Sequence, residues 1–123
     1  MSYVLDSTVF IDVLRDHQGA LAFLRGVTER PAASEVTRVE TIRGLRARER
    51  AIAERLFALV DWHPVDEPIA RVAGDFGREF RRSHANLGSP DLIIAATARA
   101  LDLPLASSNV KHYPMFRGLE PPY

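Results

Sequence analysis

The stretch SPDLIIAATARALDLPLAS (89–107) decides the fold class of this chain. Its helical part, DLIIAATARALDL, is apolar on most sides, which predicts a central, buried helix. Ser89-Pro90 opens this helix, since proline is favoured in the first helical turn. LPLAS (103–107) then predicts a short buried strand. This succession of helix and strand is one unit of the alternation that characterises α/β proteins.

The same alternation continues towards the N-terminus. Three further strands are predicted, at YVL (3–5), PAA (31–33) and DWHPV (61–65), the last confined by Pro64 to a sheet edge or a strand end. The other predicted helices run from Ser7 to about His17, from a break at Gly19 to Val27, from a Ser34 cap through 36–47, over about 50–60, from an Asp66 cap to about Arg82, and over 110–116. SHANLG (83–88) is a predicted loop. The pattern predicts a parallel sheet with helices on both faces.

Composition limits the kind of protein this is. A chain of 123 residues with 46% apolar and 26% charged residues is expected to be one globular domain, 1–123. A formal net charge of zero gives no global basic field, so a nucleic-acid site would depend on local clustering. With no cysteine, the chain has no disulfide, thiolate metal site or cysteine nucleophile.

Segments for export or membrane insertion are not expected. The N-terminus lacks a basic stretch followed by an apolar one, and the longest apolar run, LIIAATA, is far shorter than the roughly 20 residues that span a bilayer. A cytoplasmic protein is therefore the expectation.

Four polar residues stand where the site of a parallel sheet is expected, outside the carboxyl ends of the strands. Asp6 ends the first strand and Asn109 follows the last. Asp91 lies in the first turn of the buried helix, and Glu40 lies mid-helix next to Val39, bordering the buried stripe. They are candidates for a shared site.

Each of the four also has an ordinary structural interpretation. Asp6 could cap the next helix, and Asn109 could cap the 110–116 helix. Asp91 could complement the helix dipole, and Glu40 could pair with Arg43 on a solvated face. Taken together these interpretations weaken, because several carboxylates crowded into a dry cleft repel one another unless a divalent cation is bound.

The donor chemistry indicates which cation this would be. Oxygen ligands without cysteine, and with histidines scattered along the chain, favour Mg²⁺, with Mn²⁺ as the alternative, over zinc. Phosphoryl chemistry is the usual work of such a site, with the metal activating a water and stabilising the leaving oxygen.

Three segments together resemble the PIN domain, and more narrowly the VapC toxin ribonucleases of bacterial toxin–antitoxin pairs. They are YVLDSTVFIDVLR, VTRVETIRGL and SPDLIIAATARALDLPLASSNVKHYPMF, and the resemblance runs from about residue 3 to about residue 120. It implies a three-layer α/β/α fold around a short, mostly parallel sheet.

The resemblance also assigns roles by position. It makes Asp6, Glu40 and Asp91 the acidic metal-site residues, and Asn109 falls where the family has a fourth acidic residue or Asn. Ser7 and Ser107 match hydroxyl residues that support the ligands. With Asn at 109 the site carries one negative charge less, which favours one firmly bound Mg²⁺ and a second that arrives with RNA. Thr8 and Ser108 stand where many members have Asn and Arg.

The activity that the resemblance implies is metal-dependent endonucleolytic cleavage of RNA by water. Cations near the acidic pocket would hold the RNA backbone, and the candidates are Arg43, Arg46, Arg78, Arg81, Arg82 and His84. Ordinary solvated helix faces are the alternative for these residues. The implied partners are a VapB antitoxin and a second copy of the chain, for which apolar Leu21, Phe23, Leu56 and Phe57 suggest a surplus of hydrophobic surface.

Three rival functions are weighed against this one. A phosphohydrolase with an Asp nucleophile needs a second Asp where Thr8 stands, and a phospho-acceptor domain needs an acidic partner beside Asp6. Both patterns are incomplete. A non-catalytic PIN-like module that binds RNA or protein is the remaining alternative, and Mg²⁺ affinity distinguishes it from a nuclease.

Overall fold

The computed structural model describes residues 2–123 and contains, in that range, four strands and six α-helices. In chain order the elements are β1 (Val4–Leu5), α1 (Ser7–Leu14), α2 (Gln18–Gly26), β2 (Ala32–Ser34), α3 (Glu35–Arg43), a 3₁₀ turn (Ala47–Glu49), α4 (Arg50–Phe57), β3 (Asp61–His63), α5 (Glu67–Glu79), α6 (Ser89–Leu101), β4 (Leu105–Ala106) and a second 3₁₀ turn (Val110–His112). The predicted alternation of strands and helices is confirmed.

The four strands form one sheet in the order β3-β2-β1-β4, and every pairing is parallel. β1 therefore lies between β2 and β4. The edge strand β3 ends at His63, so Pro64, which has no N–H to give to a ladder, lies just beyond it. The prediction that Pro64 confines this strand to a sheet edge or a strand end is confirmed, although the strand stops at His63 and does not reach the predicted Val65.

Helices cover both faces of the sheet. In β1, Val4 packs into the cluster formed with α5 and α6, whereas Leu5 packs into the cluster formed with α1 and α4. Opposite burial of neighbouring residues is the period-two pattern of a strand covered on both sides. Residues 94–98 of α6 are all buried, as predicted for the central helix. The fold is thus the expected three-layer α/β/α arrangement. No helix within residues 2–123 is long and apolar enough to cross a membrane.

The predicted break at Gly19 is wrong. Gly19 lies inside α2, and the two helices are separated at Asp16, whose φ is 58°. Asp tolerates this left-handed conformation better than most residues. His17 then caps α2, since its Nδ1 accepts a hydrogen bond from Ala20 N at 3.2 Å.

The predicted helix over 110–116 is also wrong in extent, because only the 3₁₀ turn Val110–His112 forms. Pro114 disfavours the helical region for the residue before it, and Tyr113 has φ −125° and ψ 61°. Asn109 makes no side-chain capping bond to this turn. The turn places residues 112 and 113 beside the carboxyl edge of the sheet, where the site lies.

Candidate active site

The carboxyl ends of β1 and β4 bring Asp6 and Ser107 together across 101 positions of sequence. Leu5 and Ala106 are paired in the parallel ladder, so the residues that follow them are neighbours. Asp6 N donates to Ala106 O at 3.0 Å, and Ser107 Oγ donates to Asp6 Oδ2 at 2.5 Å. Asp6 is 3% exposed and Ser107 is fully buried, so this contact is shielded from water.

Asp6 caps α1 and faces the cleft at the same time. Its Oδ1 accepts a hydrogen bond from Ser7 N at 2.8 Å, which is the capping interaction. Its Oδ2 accepts from Thr8 Oγ1 at 3.2 Å as well as from Ser107. Capping is therefore one role of this side chain, and both of its oxygens are oriented by nearby donors.

Ser7 links Asp6 to Glu40. Ser7 Oγ donates to Glu40 Oε1 at 3.2 Å and lies 3.5 Å from Asp6 Oδ1. Burial raises the pKa of Glu40, and the negative charge of Asp6 raises it further, while the Ser7 hydrogen bond acts in the opposite direction. Arg43 lowers the pKa of Glu40 as a nearby charge and makes no salt bridge to it within residues 2–123.

Glu40 is half-buried as expected, but the reason for that expectation, a buried apolar stripe at Val39, is wrong. Val39 is 58% exposed, and the residues of α3 that are buried are Thr37 and Thr41. This face of α3 turns towards α1 and α6. Glu40 is half-buried on the side of α1, where its carboxylate accepts the hydrogen bond from Ser7 Oγ, and its neighbour Val39 is exposed.

Asp91 enters the cleft from the first turn of α6 and is held by the segment after β4. Tyr113 Oη donates to Asp91 Oδ1 at 3.4 Å, and His112 Nδ1 lies 3.1 Å from Asp91 Oδ2. Burial raises the pKa of Asp91, the His112 charge opposes that rise, and Asp6 adds to it. Two consecutive residues thus contact both oxygens of one carboxylate.

Tyr113 is a site residue that sequence reasoning missed. Its side chain is 1% exposed, and its pKa is raised far above the ordinary value by burial and then by the charges of Asp6, Asp91 and Glu40. It is therefore a neutral phenol, able to donate a hydrogen bond to the carboxylates. The available signal was its place shortly after the last strand, at the edge of the sheet where the acidic residues were expected.

The three acidic residues act on one another electrostatically. The pKa of Glu40 is raised by Asp6 and Asp91, and that of Asp91 is raised by Asp6. In the part of the chain that the structure describes, no three His, Cys, Asp or Glu side chains are arranged closely enough to hold a metal ion as they stand. The donor chemistry still fits Mg²⁺ or Mn²⁺, because the carboxylates are desolvated, mutually repulsive and supported by hydroxyl groups.

The remaining candidates are not drawn into this cluster. Asn109 has an exposed side chain, and its contact with the site is the hydrogen bond from its backbone N to Ser107 Oγ at 3.0 Å. Arg46 is exposed, and its backbone N donates to Glu49. Three other arginines are exposed at the end of α5 and in the turn after it, and none contacts an acidic site residue within residues 2–123: Arg78, Arg81 and Arg82.

Comparisons with known proteins show the family and the fold of this chain. The family model of the PIN domain matches residues 3–113. Ribonuclease VapC19 of Mycobacterium tuberculosis is 42% identical over 123 residues, covering 98% of each chain. A DNA-bound VapBC structure from Salmonella typhimurium superposes with a TM-score of 0.82 at 21% identity, covering 98% of this chain and 96% of the other. A toxin–antitoxin complex from Klebsiella pneumoniae gives 0.80 at 24% identity, covering 98% of each chain.

The family match, the near-complete coverage by a relative of 42% identity and the shared fold point the same way. This chain belongs to the PIN domain family, within its VapC group.

Proposed function

We propose that this protein is an endoribonuclease that uses Mg²⁺, or Mn²⁺ as the alternative ion, and that it is the toxin of a toxin–antitoxin pair. The observation that carries the proposal is the convergence of Asp6, Glu40 and Asp91 at the carboxyl edge of the sheet. The relative named as a ribonuclease spans nearly the whole chain, which supports RNA as the substrate.

The three carboxylates are the proposed ligands of the ion, and Asn109 is a proposed neighbour that adds no charge. When bound, the divalent ion would activate water and neutralise charge on the phosphodiester. Ser107 and Thr8 fix one oxygen of Asp6, and Ser7 fixes the other while holding Glu40. Asp6 and Glu40, held in this way, lose little freedom on binding, and the bound ion would draw the three carboxylates closer together.

Asp91 has a different support. His112 and Tyr113 contact its two oxygens, and the phenol of Tyr113 occupies the dry side of the cleft. Both groups favour an ionised Asp91 against the desolvation that disfavours it. Their proposed role is to keep this carboxylate oriented towards Asp6.

The proposed partners are an antitoxin and a second copy of the chain. The Klebsiella pneumoniae neighbour is a toxin–antitoxin complex, and the Salmonella typhimurium neighbour is a VapBC complex, which supports an antitoxin here. The surplus expected from Phe57 is wrong, since Phe57 is 3% exposed and lies in the core. Leu21, Phe23 and Leu56 are half-buried and stay part of the proposal. The exposed large apolar residues, which also support self-association, are Val39, Ile52, Leu59 and Val65. A cytoplasmic location is part of the proposal.

Cleavage of total cellular RNA tests the activity. The purified protein is incubated with Mg²⁺ or with EDTA, beside Asp6→Asn and a matched control, Asp66→Asn. Asp66 also caps a helix, through a 3.1 Å bond from Ile69 N, and Asn is an equally good cap. Discrete fragments are expected from the wild type and Asp66→Asn in Mg²⁺, and none from Asp6→Asn or in EDTA.

A non-catalytic module is the second candidate, and the observation in its favour is that the acidic side chains do not close on one point. A folded protein that binds neither Mg²⁺ nor Mn²⁺ and leaves RNA intact would establish it. Cleavage that survives Asp6→Asn would show that the site is wrongly assigned.

A further inference from the structure

A cavity of about 410 Å³ adjoins the acidic cluster on the side of Asp91. It lies between the loop 83–87 and the pair Lys111–His112. His112 lines this cavity and also contacts Asp91 Oδ2 at 3.1 Å. His112 is therefore shared by the cavity and the acidic cluster.

The lining of this cavity differs in charge from the acidic cluster, because its one formally charged residue in the described part of the chain is Lys111. Lys111 is the only lysine in the chain, and it stands here with His84 and His112. Asn86 and Ser83 add hydrogen-bonding groups, and no Asp or Glu among residues 2–123 lines the cavity. Cationic and amide groups of this kind contact phosphate oxygens in nucleic-acid sites.

A second cavity, of about 370 Å³, shares His84 with the first, and Asp6, Glu40 and Asp91 are not among its lining residues. Its lining combines Phe80 and Met115 with Arg99 and Arg117, and one acidic residue, Glu79, is present. The Phe80 and His84 rings are 5.8 Å apart at 76°, so Phe80, which lines the second cavity, contacts His84, which lines both. Aromatic surfaces flanked by cations are the usual platform for single-stranded nucleic acid.

We propose that the RNA strand leaves the acidic cluster past His112 and that the next nucleotides occupy these two cavities. The phosphate nearest the cleavage point contacts Lys111 and His84, and the following base lies against Phe80 and Met115. This proposal rests on the proposed ribonuclease function and locates the substrate on the protein. It also replaces part of the earlier expectation, since Arg78, Arg81 and Arg82 line neither cavity.

The proposed path of the RNA past His112 and through the two cavities is called the RNA track. RNA binding to a cleavage-deficient protein tests this track directly. Asp6→Asn is the parent, and the probe is a fluorescent single-stranded RNA of random sequence, titrated by anisotropy in Mg²⁺ at several salt concentrations. Lys111→Gln and His84→Gln are added singly. Arg55→Gln, which removes an exposed charge from α4, is the matched control.

Lys111→Gln is expected to weaken binding about 3- to 10-fold and to lower the slope of log affinity against log salt by about 0.7, the contribution of one contact to single-stranded nucleic acid. His84→Gln is expected to weaken binding to a similar extent, while Arg55→Gln matches the parent. Melting temperatures check that each variant is folded.

The other outcomes separate the track from the function. If Lys111→Gln and His84→Gln bind RNA as the parent does and the wild type cleaves RNA, the track is wrong and the ribonuclease proposal stands. If Arg55→Gln weakens binding equally, the contact is diffuse charge attraction and the track is wrong. If the parent binds no RNA and the wild type cleaves none, both proposals fall.

Discussion

Replacing Ser107 by Ala is the sharpest test of how the site is organised. Ser107 is fully buried, and its hydroxyl donates to Asp6 Oδ2 at 2.5 Å while accepting from Asn109 N at 3.0 Å. A hydrogen bond to a charged acceptor contributes about 1.5–3 kcal/mol to folding. The freed Asn109 N–H belongs to an exposed residue, so water can satisfy it at small cost. The expected loss is therefore about 2 kcal/mol.

For a domain of this size, each kcal/mol shifts the melting temperature by roughly 3–6 °C. Ser107→Ala should thus melt roughly 6–12 °C below the wild type in EDTA, measured by circular dichroism. Its Mg²⁺ affinity, measured from the rise in melting temperature with added Mg²⁺, should fall about 10- to 100-fold, as for other residues that orient metal ligands. Thr8 and Ser7 still contact Asp6, so the protein should fold.

Ser108→Ala is the matched control. The Ser108 side chain is exposed, and the contact of Ser108 with Thr8 is made by its backbone N, which the substitution keeps. It should leave both quantities unchanged. A Ser107→Ala protein that melts within about 2 °C of the wild type and binds Mg²⁺ equally well would refute the reasoning that Ser107 holds Asp6.

The other predictions concern the acidic residues and their tyrosine. Tyr113→Phe should weaken Mg²⁺ binding about 10-fold, whereas Tyr123→Phe, which removes a 2.6 Å contact with Asp12 outside the cluster, should not; calorimetric titration compares them. Glu40→Gln and Asp91→Asn should each raise the melting temperature in EDTA, because they remove a desolvated charge, yet reduce the stabilisation by Mg²⁺. Since the folded pKa values of Glu40 and Asp91 lie above the ordinary 4.5 and 3.8, their ionisation destabilises the metal-free fold. The stability that the two protonated carboxyls contribute is fully present below these ordinary pKa values and is lost as pH rises through the raised pKa values. The rise in melting temperature on adding Mg²⁺ should grow over the same pH window. Melting temperatures from pH 3.5 to pH 7, with and without Mg²⁺, check both trends, and parallel curves would contradict the assignment.

Hydrophobic periodicity, together with the residues that begin and end helices and strands, was sufficient to predict the layers of this fold. The apolar segment of α6 and the short strands beside it predicted an α/β arrangement. Pro64 indicated that β3 lies at a sheet edge or ends there, and β3 is an edge strand. Helix ends were harder to predict, because they depend on single backbone conformations. Asp16 adopts a left-handed conformation that its sequence permits but does not require, so the break was expected at Gly19 instead.

Site residues in or next to regular elements were predicted from the sequence, whereas those in the irregular segment after β4 were missed or left without a role. Asp6 and Ser107 sit at strand ends, where parallel pairing fixes their position. Glu40 and Asp91 lie on helices that start close to the carboxyl edge of the sheet. Tyr113 and Lys111 belong to a segment without regular structure beyond one 3₁₀ turn, so no periodic pattern could assign the direction of their side chains.

Strand order explains why Asp6 is the centre of this site. Because β1 lies between β2 and β4, Asp6 has a strand end on either side of it: β2 leads directly into α3 with Glu40, and β4 leads into Ser107. Asp6 is consequently the most buried of the three acidic residues, and its charge raises the pKa of both Glu40 and Asp91. The alternation of helices and strands along the chain does not determine this strand order. The sequence therefore predicted that the acidic residues lie at one edge of the sheet, but not which of them lies at the centre. If the site works as proposed, loss of the Asp6 charge should weaken Mg²⁺ binding more than loss of Glu40 or Asp91, since it removes the group on which the other two converge.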